Sequence, residues 1–276
     1  MQGAASSLSK EYYIRIAKNS NLLPDLGKDN PAMTTFDNQL IELESVDSTN
    51  NYAMARIHEG LASDGMVYLT HHQLAGKGQR GKTWISEPGQ NLTISLVIKP
   101  SHLNLNQQFL FSAAIALAII DLVRGFHDKN WKIKWPNDIY WSDRKAGGIL
   151  IENVIAGQTW SWAVVGIGLN LNQSYFPLEI PNAVSISQIT GAKYKPVEIA
   201  RALTPLIRER ISILRKTPDQ ILHDFNDSLY KKEQVIALRK NDEIIVSVLN
   251  GVDPNGLLIT KDGIFRPGEV DFIISH

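Results

Sequence analysis

Along most of this chain, apolar positions repeat either at the period of a strand or at that of a helix. Leu40 to Leu43 and Met66 to Thr70 are short apolar runs that read as strands. Between them, Ser48 or Thr49 can cap a helix through Tyr52, Met54, Ala55 and Ile57 that stops at Gly60. Leu92 to Lys99 predicts another strand, ended by Pro100. Phe109, Ser112, Ala113, Ala116, Ile120 and Val123 recur at helical spacing, and Gly125 closes that pattern. Trp131 to Trp135 reads as a strand stopped by Pro136. Gly148 to Val154 and Trp160 to Val165 read as a hairpin around Ala156-Gly157. Pro196 to Lys216 and Pro218 to Tyr230 predict two helices.

The texture changes after Lys231. Glu233 to Arg239, Glu243 to Leu249, Gly256 to Thr260 and Val270 to Ile274 are short strand patterns. Asn250-Gly251, Asn255-Gly256 and Asp262-Gly263 mark turns between them. The expected fold is α+β: a mixed sheet with helices packed on it over residues 41–230, then a small β-barrel over 231–276. Residues 1–40 form a poorly patterned extension. Tyr12, Tyr13, Ile14 and Ile16 suit part of a helix, but Leu23-Pro24, Gly27 and Asn30-Pro31 break it.

Composition narrows the function. The chain has 276 residues, 43% of them hydrophobic, which is enough for a sizeable core. Its 28 basic side chains balance 28 acidic ones, so nothing suggests a nucleic-acid grip through bulk charge. No cysteine is present, which excludes disulfides, thiolate nucleophiles and cysteine zinc sites. Met1 to Lys10 lacks the pattern of a secretory signal. The apolar run Phe109 to Val123 is interrupted by Ser112 and Asp121 and is shorter than the roughly 20 residues of a membrane span. It predicts a buried helix, and the chain is expected to be cytoplasmic.

The richest segment is Gly76-Lys77-Gly78-Gln79-Arg80-Gly81-Lys82-Thr83-Trp84. Its glycines allow tight turns with exposed N–H groups, and three cations add positive charge, a combination suited to phosphate. Gly76 to Thr83 also fits the P-loop pattern, and Asp121 would be its acidic companion. A P-loop must open a helix at its Gly-Lys-Thr, whereas Pro88-Gly89 soon follows and a strand comes next. The plainer alternative is a solvated basic hairpin.

Other clusters follow in order. Asp47-Ser48-Thr49-Asn50 holds more polar groups than one helix cap needs. Lys134-Trp135-Pro136-Asn137-Asp138 ends a strand in a turn that should expose Asn137 and Asp138. Lys145 stands beside Ala146-Gly147-Gly148, and a water-exposed hairpin lysine is the ordinary reading. Gly166-Ile167-Gly168-Leu169-Asn170 permits close backbone approach, or is simply a strand end. His71-His72 is weak as a metal site, because neighbours on a strand face opposite ways.

In this order, from Ser48-Thr49-Asn50 through Gln73, the glycine-rich loop, Lys134 to Asp138, Lys145 with Gly148, and Gly166 to Asn170, the chain resembles the biotin protein ligases. The resemblance covers about residues 41 to 276. It implies a mixed sheet with helices on one side followed by an SH3-like barrel. It implies ATP-dependent activation of biotin as biotinyl-5'-AMP and transfer to a lysine of a biotin carboxyl carrier protein.

By the same resemblance, Ser48, Thr49, Asn50 and Gln73 line the biotin pocket. Lys77, Gly78 and Gln79 close over biotin and the adenylate, and Gly148 borders biotin. Lys145 meets the reacting carboxylate and phosphate. Gly76, Arg80, Lys82, Trp84, Lys134, Asn137 and Asn170 serve ATP, with magnesium travelling with the phosphates near Asn137. Asp138 orients Lys145 or the incoming lysine. Two departures stand out. Where the family loop often reads Gly-Arg-Gly-Arg, this one has Lys77, without the arginine fork, and the uncharged Gln79. The residues before Ser48 also look too few for the winged helix of the family's repressor members, so no DNA binding and no membrane are expected; a homodimer is compatible. The alternatives are a lipoate–protein ligase, whose Arg-Arg-x-Ser-Gly-Gly-Gly loop is absent here, and a biotin-responsive DNA-binding repressor.

Overall fold

The computed structural model describes residues 39–127 and 130–274. The helix expected around Tyr12 to Ile16 lies outside them. A seven-stranded sheet runs in the order β1 (Leu40–Val46), β2 (Val67–Gln73), β3 (Leu92–Ile98), β7 (Thr159–Leu169), β6 (Arg144–Ala156), β5 (Asp138–Trp141), β4 (Trp131–Lys134). Only β1 and β2 pair in parallel; every other neighbour is antiparallel, so the sheet is mixed.

Side chains alternate across these strands, and the two faces carry different chemistry. Leu92, Ile94 and Leu96 of β3 join Val165, Ile167 and Leu169 of β7 in the main core. Over that face lie α2 (Gln108–Phe126) and α4 (Pro196–Lys216), packed on each other, with α5 (Pro218–Asp227) beside them. Leu105–Phe126 is apolar enough to cross a bilayer, with mean hydropathy 2.0, but 72% of that window is buried within the fold. Its Asp121 is held at 2.7 Å by Arg210 Nε of α4, and Arg210 Nη1 reaches Asp224 of α5 at 2.6 Å. This ion triad ties three helices together.

The opposite face is covered by α1 (Thr49–His58), which packs on β2, β3 and β7. Ala53 of α1 meets Tyr68, Val97 and Val164 in a second, smaller core. Helices on one side only, the expected arrangement, is therefore corrected. The apolar stripe of α1 has its own partner in the alternate residues of these strands.

After α5, Tyr230 N–H donates to the Ile133 carbonyl and Ile133 N–H to the Ser228 carbonyl, so the linker lies along edge strand β4. Beyond it, a five-stranded antiparallel sheet runs β11 (Ile264–Phe265), β10 (Leu258–Thr260), β9 (Glu243–Val252), β8 (Val235–Lys240), β12 (Asp271–Ile273). The turn expected at Asn250-Gly251 is instead inside β9, and the chain reverses after Val252 through Asp253 to Gly256. Gly125 likewise lies within α2, which ends one residue later. A short helix, α3 (Ile186–Thr190), capped by Ser185, completes the α-helices among the described residues.

Candidate functional site

The sheet register assembles the site. Lys134 pairs with Asp138, Asp138 with Gly148, Gly148 with Gly168, and Gly168 with Thr93. One row across five strands thus carries the charged groups at one end and small residues at the other. Lys145 joins the row through a bulge. Tyr140 pairs with Lys145 and Ile139 with Gly147, leaving Ala146 as an extra residue in β6. A bulge re-aims side chains. Here it puts Lys145 on the same face as Gly148, and Lys145 Nζ reaches Asp138 Oδ1 at 2.6 Å. Lys134 Nζ lies 4.0 Å from Asp138 Oδ2.

Lys134 is largely buried and stacks against two rings, Tyr140 at 5.4 Å and Phe272 of β12 at 5.2 Å. Burial lowers its pKa below that of an ordinary lysine; the Asp138 carboxylate opposes that shift, and Lys145 and Lys82 add to it. Asn137 and Asp138 are not the exposed turn that the sequence suggests. Asn137 is buried and its amide donates to the Ile149 carbonyl at 2.5 Å, while the Asp138 side chain is only 18% exposed. The turn folds inward because the β4–β5 hairpin closes against β6.

Two glycines of β7 let other parts of the chain lie directly on the sheet. A Cβ at Gly166 would stand 2.4 Å from Asn50 Oδ1, and one at Gly168 2.4 Å from the Trp84 ring. The close approach expected of this segment is made by the chain's own α1 and loop. Asn50 is buried and donates to the Leu150 carbonyl at 3.2 Å and to Glu152 at 2.7 Å, while Ser95 Oγ sits 2.6 Å from its Oδ1. Ser48 occupies the N-cap position of α1 without capping it through its side chain. Gln73 of β2 supplies the acceptor instead, taking Thr49 N–H at 2.9 Å. Ser48 itself is buried and lines the cleft.

The glycine-rich segment is a hairpin: Gly78 N–H donates to the Lys82 carbonyl at 2.7 Å and Trp84 N–H to the Gly76 carbonyl at 2.9 Å. Its tip is a short 3₁₀ turn, Gln79–Gly81, and the next regular element is β3, not a helix. This excludes the P-loop reading, and Asp121 is a buried member of the helix triad. Arg80 takes a left-handed φ of 59°. Its guanidinium lies against Gly268, and Lys82 Nζ is 3.9 Å from Asp271, so the loop reaches the C-terminal sheet.

One cleft gathers Ser48, Thr49, Asn50 and Gln73 at its polar end, loop residues Lys77 to Trp84 as its roof, and Lys134, Asn137, Asp138, Lys145 and Gly148 at its charged end. Two of the expected residues do not line it. Gly76 is tucked beneath Trp84 at the loop's base. Asn170 is buried behind Lys145, donating to the Val184 carbonyl at 3.2 Å and to the Lys145 carbonyl at 3.4 Å. It steadies the strand that presents Lys145 and does not face the cleft. The cleft also takes Gly268, Val270, Asp271 and Phe272 from the C-terminal sheet, and Thr93 from β3, which sequence reasoning missed.

Among the described residues, no three His, Cys, Asp or Glu side chains converge as a metal site, and His71 pairs instead with Glu42 at 3.4 Å. A donor set of Asp138 and the Asn137 side-chain oxygen suits magnesium only as it arrives with phosphates, which supply most of its ligands.

Comparison with known proteins agrees with this geometry. Residues 42–170 match the biotin/lipoate A/B protein ligase family. A biotin--[acetyl-CoA-carboxylase] ligase of Paracoccus denitrificans is 35% identical over 169 residues, covering 59% of this chain and 69% of that protein. The bifunctional ligase/repressor BirA of Escherichia coli is 28% identical over 238 residues, covering 82% of this chain and 70% of that protein. The structure of the biotin protein ligase from Aquifex aeolicus in complex with biotin and ATP superposes with a TM-score of 0.71 at 26% identity, over 86% of this chain and 99% of that one. The row of residues across the sheet, the hairpin roofing it and these similarities agree: the chain belongs to the biotin/lipoate A/B protein ligase family.

Proposed function

We infer that this chain is an ATP-dependent biotin ligase. It activates the carboxylate of biotin as an adenylate and passes the acyl group to a lysine of a biotin carboxyl carrier protein. The observation that carries this reading is one continuous cleft with a neutral hydrogen-bonding end and a cationic end. Ser48, Thr49 and Gln73 suit a urea ring, whereas a dithiolane has nothing comparable to bond. Lys134 and Lys145 suit a carboxylate meeting a phosphate. The relatives named as biotin ligases, and the similar structure holding biotin and ATP, support the same reading.

A carboxylate is unreactive towards an amine near neutral pH, so it must first gain a leaving group. A biotin carboxylate oxygen attacks the α-phosphorus of ATP, and pyrophosphate leaves. The acceptor lysine nitrogen then attacks the acyl carbon, and AMP leaves. Both steps build negative charge on oxygen, which fixed cations stabilise without reorganising. We assign Lys145 to the shared carboxylate–phosphate position. Lys134, Arg80 and Lys82 serve the phosphates. Lys77 to Gln79 cover the intermediate, and Trp84 supports them from below. Asp138, 2.6 Å from Lys145 Nζ, holds that lysine and is placed to take the proton of the incoming amine. Magnesium would be shared between the phosphates and the Asn137–Asp138 turn, and would supply charge neutralisation there. The module after about residue 230 closes the cleft through Phe272 and Asp271. ATP is plentiful in the cytoplasm, the compartment this reading implies.

The test is incubation with biotin, magnesium and ATP, then with a purified biotin carboxyl carrier domain, followed by mass spectrometry. Addition of one biotin to one lysine supports the reading. An unmodified carrier, in the presence of active control ligase on the same substrate, refutes it.

A further inference from the structure

The Lys134 ammonium is largely enclosed, yet no acceptor among the described residues lies within hydrogen-bond distance of it. Its side chain is 16% exposed, and Asp138 Oδ2 stands 4.0 Å from Nζ. The other oxygen of that carboxylate is taken by Lys145 at 2.6 Å. Lys145 and Lys82 add like charge from β6 and from the glycine-rich loop. A flexible lysine so placed gains by swinging towards water. Two rings hold it instead. Tyr140 and Phe272 have their ring centres 5.4 and 5.2 Å from Nζ, both within the range at which the negative face of a ring attracts a cation.

These rings are fixed from behind. Tyr230, in the linker before β8, packs on Tyr140 with ring centres 5.4 Å apart and on Phe272 at 6.5 Å. Its N–H donates to the Ile133 carbonyl, one residue before Lys134, and its hydroxyl donates to the Asp143 carboxylate in the β5–β6 turn. Lys231 Nζ reaches the same carboxylate at 3.5 Å. Tyr140 belongs to the seven-stranded sheet and Phe272 to β12, so the cage forms where the two sheets meet. A ring face attracts charge without taking up the N–H donors as oxygen atoms would. Those donors stay available to a phosphate in the cleft, which Lys134 and Phe272 both line.

We propose that Phe272 is a positioning residue for phosphate binding: its ring, backed by Tyr230, holds the Lys134 ammonium at the cleft, so that ATP affinity depends on the electron density of that ring. The inference deepens the ATP side of the proposed ligase reaction and rests on that reading.

The experiment is ATP–pyrophosphate exchange on the full chain carrying phenylalanine or its mono-, di- and trifluorinated forms at position 272, with Phe272→Leu and Phe272→Tyr beside them. Fluorine withdraws charge from the ring face and leaves its size and apolar character nearly unchanged. The ATP KM should rise stepwise with each fluorine, to about tenfold for the trifluorinated ring. The biotin KM and kcat should stay constant, because the ammonium is held equally in the ground and transition states. Phe272→Leu keeps the apolar bulk but loses the face, and should match the trifluorinated chain. Phe272→Tyr keeps the face and should stay near wild type. A ring that stacked on the nucleotide base would hold it no worse when fluorinated, so an ATP KM that stays flat or falls along the series overturns the proposal. A rise shared by the biotin KM marks a general loosening of the cleft and overturns it too. A wild type without biotin-dependent exchange overturns the biotin reading, and this inference with it.

Discussion

Gly168→Ala is the sharpest small perturbation of this site. The added Cβ would stand 2.4 and 2.6 Å from two atoms of the Trp84 ring. Carbon atoms rest about 3.5 Å apart, so the ring must retreat by about 1 Å. The strand cannot supply that movement, because Gly168 is paired on both sides, with Thr93 and with Gly148. Trp84 belongs to the hairpin, whose tip is exposed, so the loop yields. Overpacking of this kind costs roughly 1–3 kcal/mol, and the lower end applies where a loop takes up the strain. Catalysis is more sensitive, since a misplacement of about 1 Å is worth about a hundredfold in rate. The variant should therefore unfold in urea within about 1 kcal/mol of wild type, while kcat/KM for pyrophosphate exchange falls by about a hundredfold. Adding Trp84→Leu should recover part of that loss by removing the clash. Near-normal exchange by Gly168→Ala, or a loss of stability much larger than the loss of activity, would refute the idea that Trp84 seats the loop on this glycine.

Lys145→Ala should abolish adenylate formation while leaving the melting temperature nearly unchanged, because the Lys145 side chain is 36% exposed; normal exchange by the folded variant would contradict this. Lys134 must be charged to hold phosphate, and its pKa is lowered by burial, so ATP affinity should fall with rising pH before an ordinary lysine would titrate. Lys134→Arg should push that limb of the KM profile for ATP to higher pH, as read from exchange at varied pH. Asp121→Ala should cost about 3 kcal/mol in urea unfolding, since it strips a carboxylate from the largely buried Arg210. A change below about 0.5 kcal/mol would mean that the triad contributes little.

Most of the sheet and the long helices were legible because burial imposes a period. Leu92 to Ile98 and Gln108 to Phe126 are predominantly apolar. The four-residue strand β5 was not, because it begins at Asp138, the last residue of a segment that reads as a turn after Pro136. Its pairing depends on partners on both sides. The glycine-rich hairpin, Ser48, Thr49, Gln73 and Lys145 stood out as polar or glycine-rich groups where neither cap nor core needs them. Ser95 had no such mark: a lone serine within an apolar strand signals nothing until the register sets it opposite Gly166. Phe272 and Gly268 reach the cleft only by docking of the C-terminal sheet, which local pattern cannot encode. Asn170 misled because its motif position suggested a ligand, whereas its side chain holds backbone carbonyls.

On this reading the cleft joins biotin to ATP. ATP–pyrophosphate exchange with purified protein and magnesium, run with biotin, with lipoate and with neither acid, tests it most directly. Exchange with biotin alone is the predicted result. Exchange with lipoate alone would keep the family and overturn the polar pocket at Ser48, Thr49 and Gln73, and ATP breakdown independent of either acid would contradict adenylate chemistry altogether.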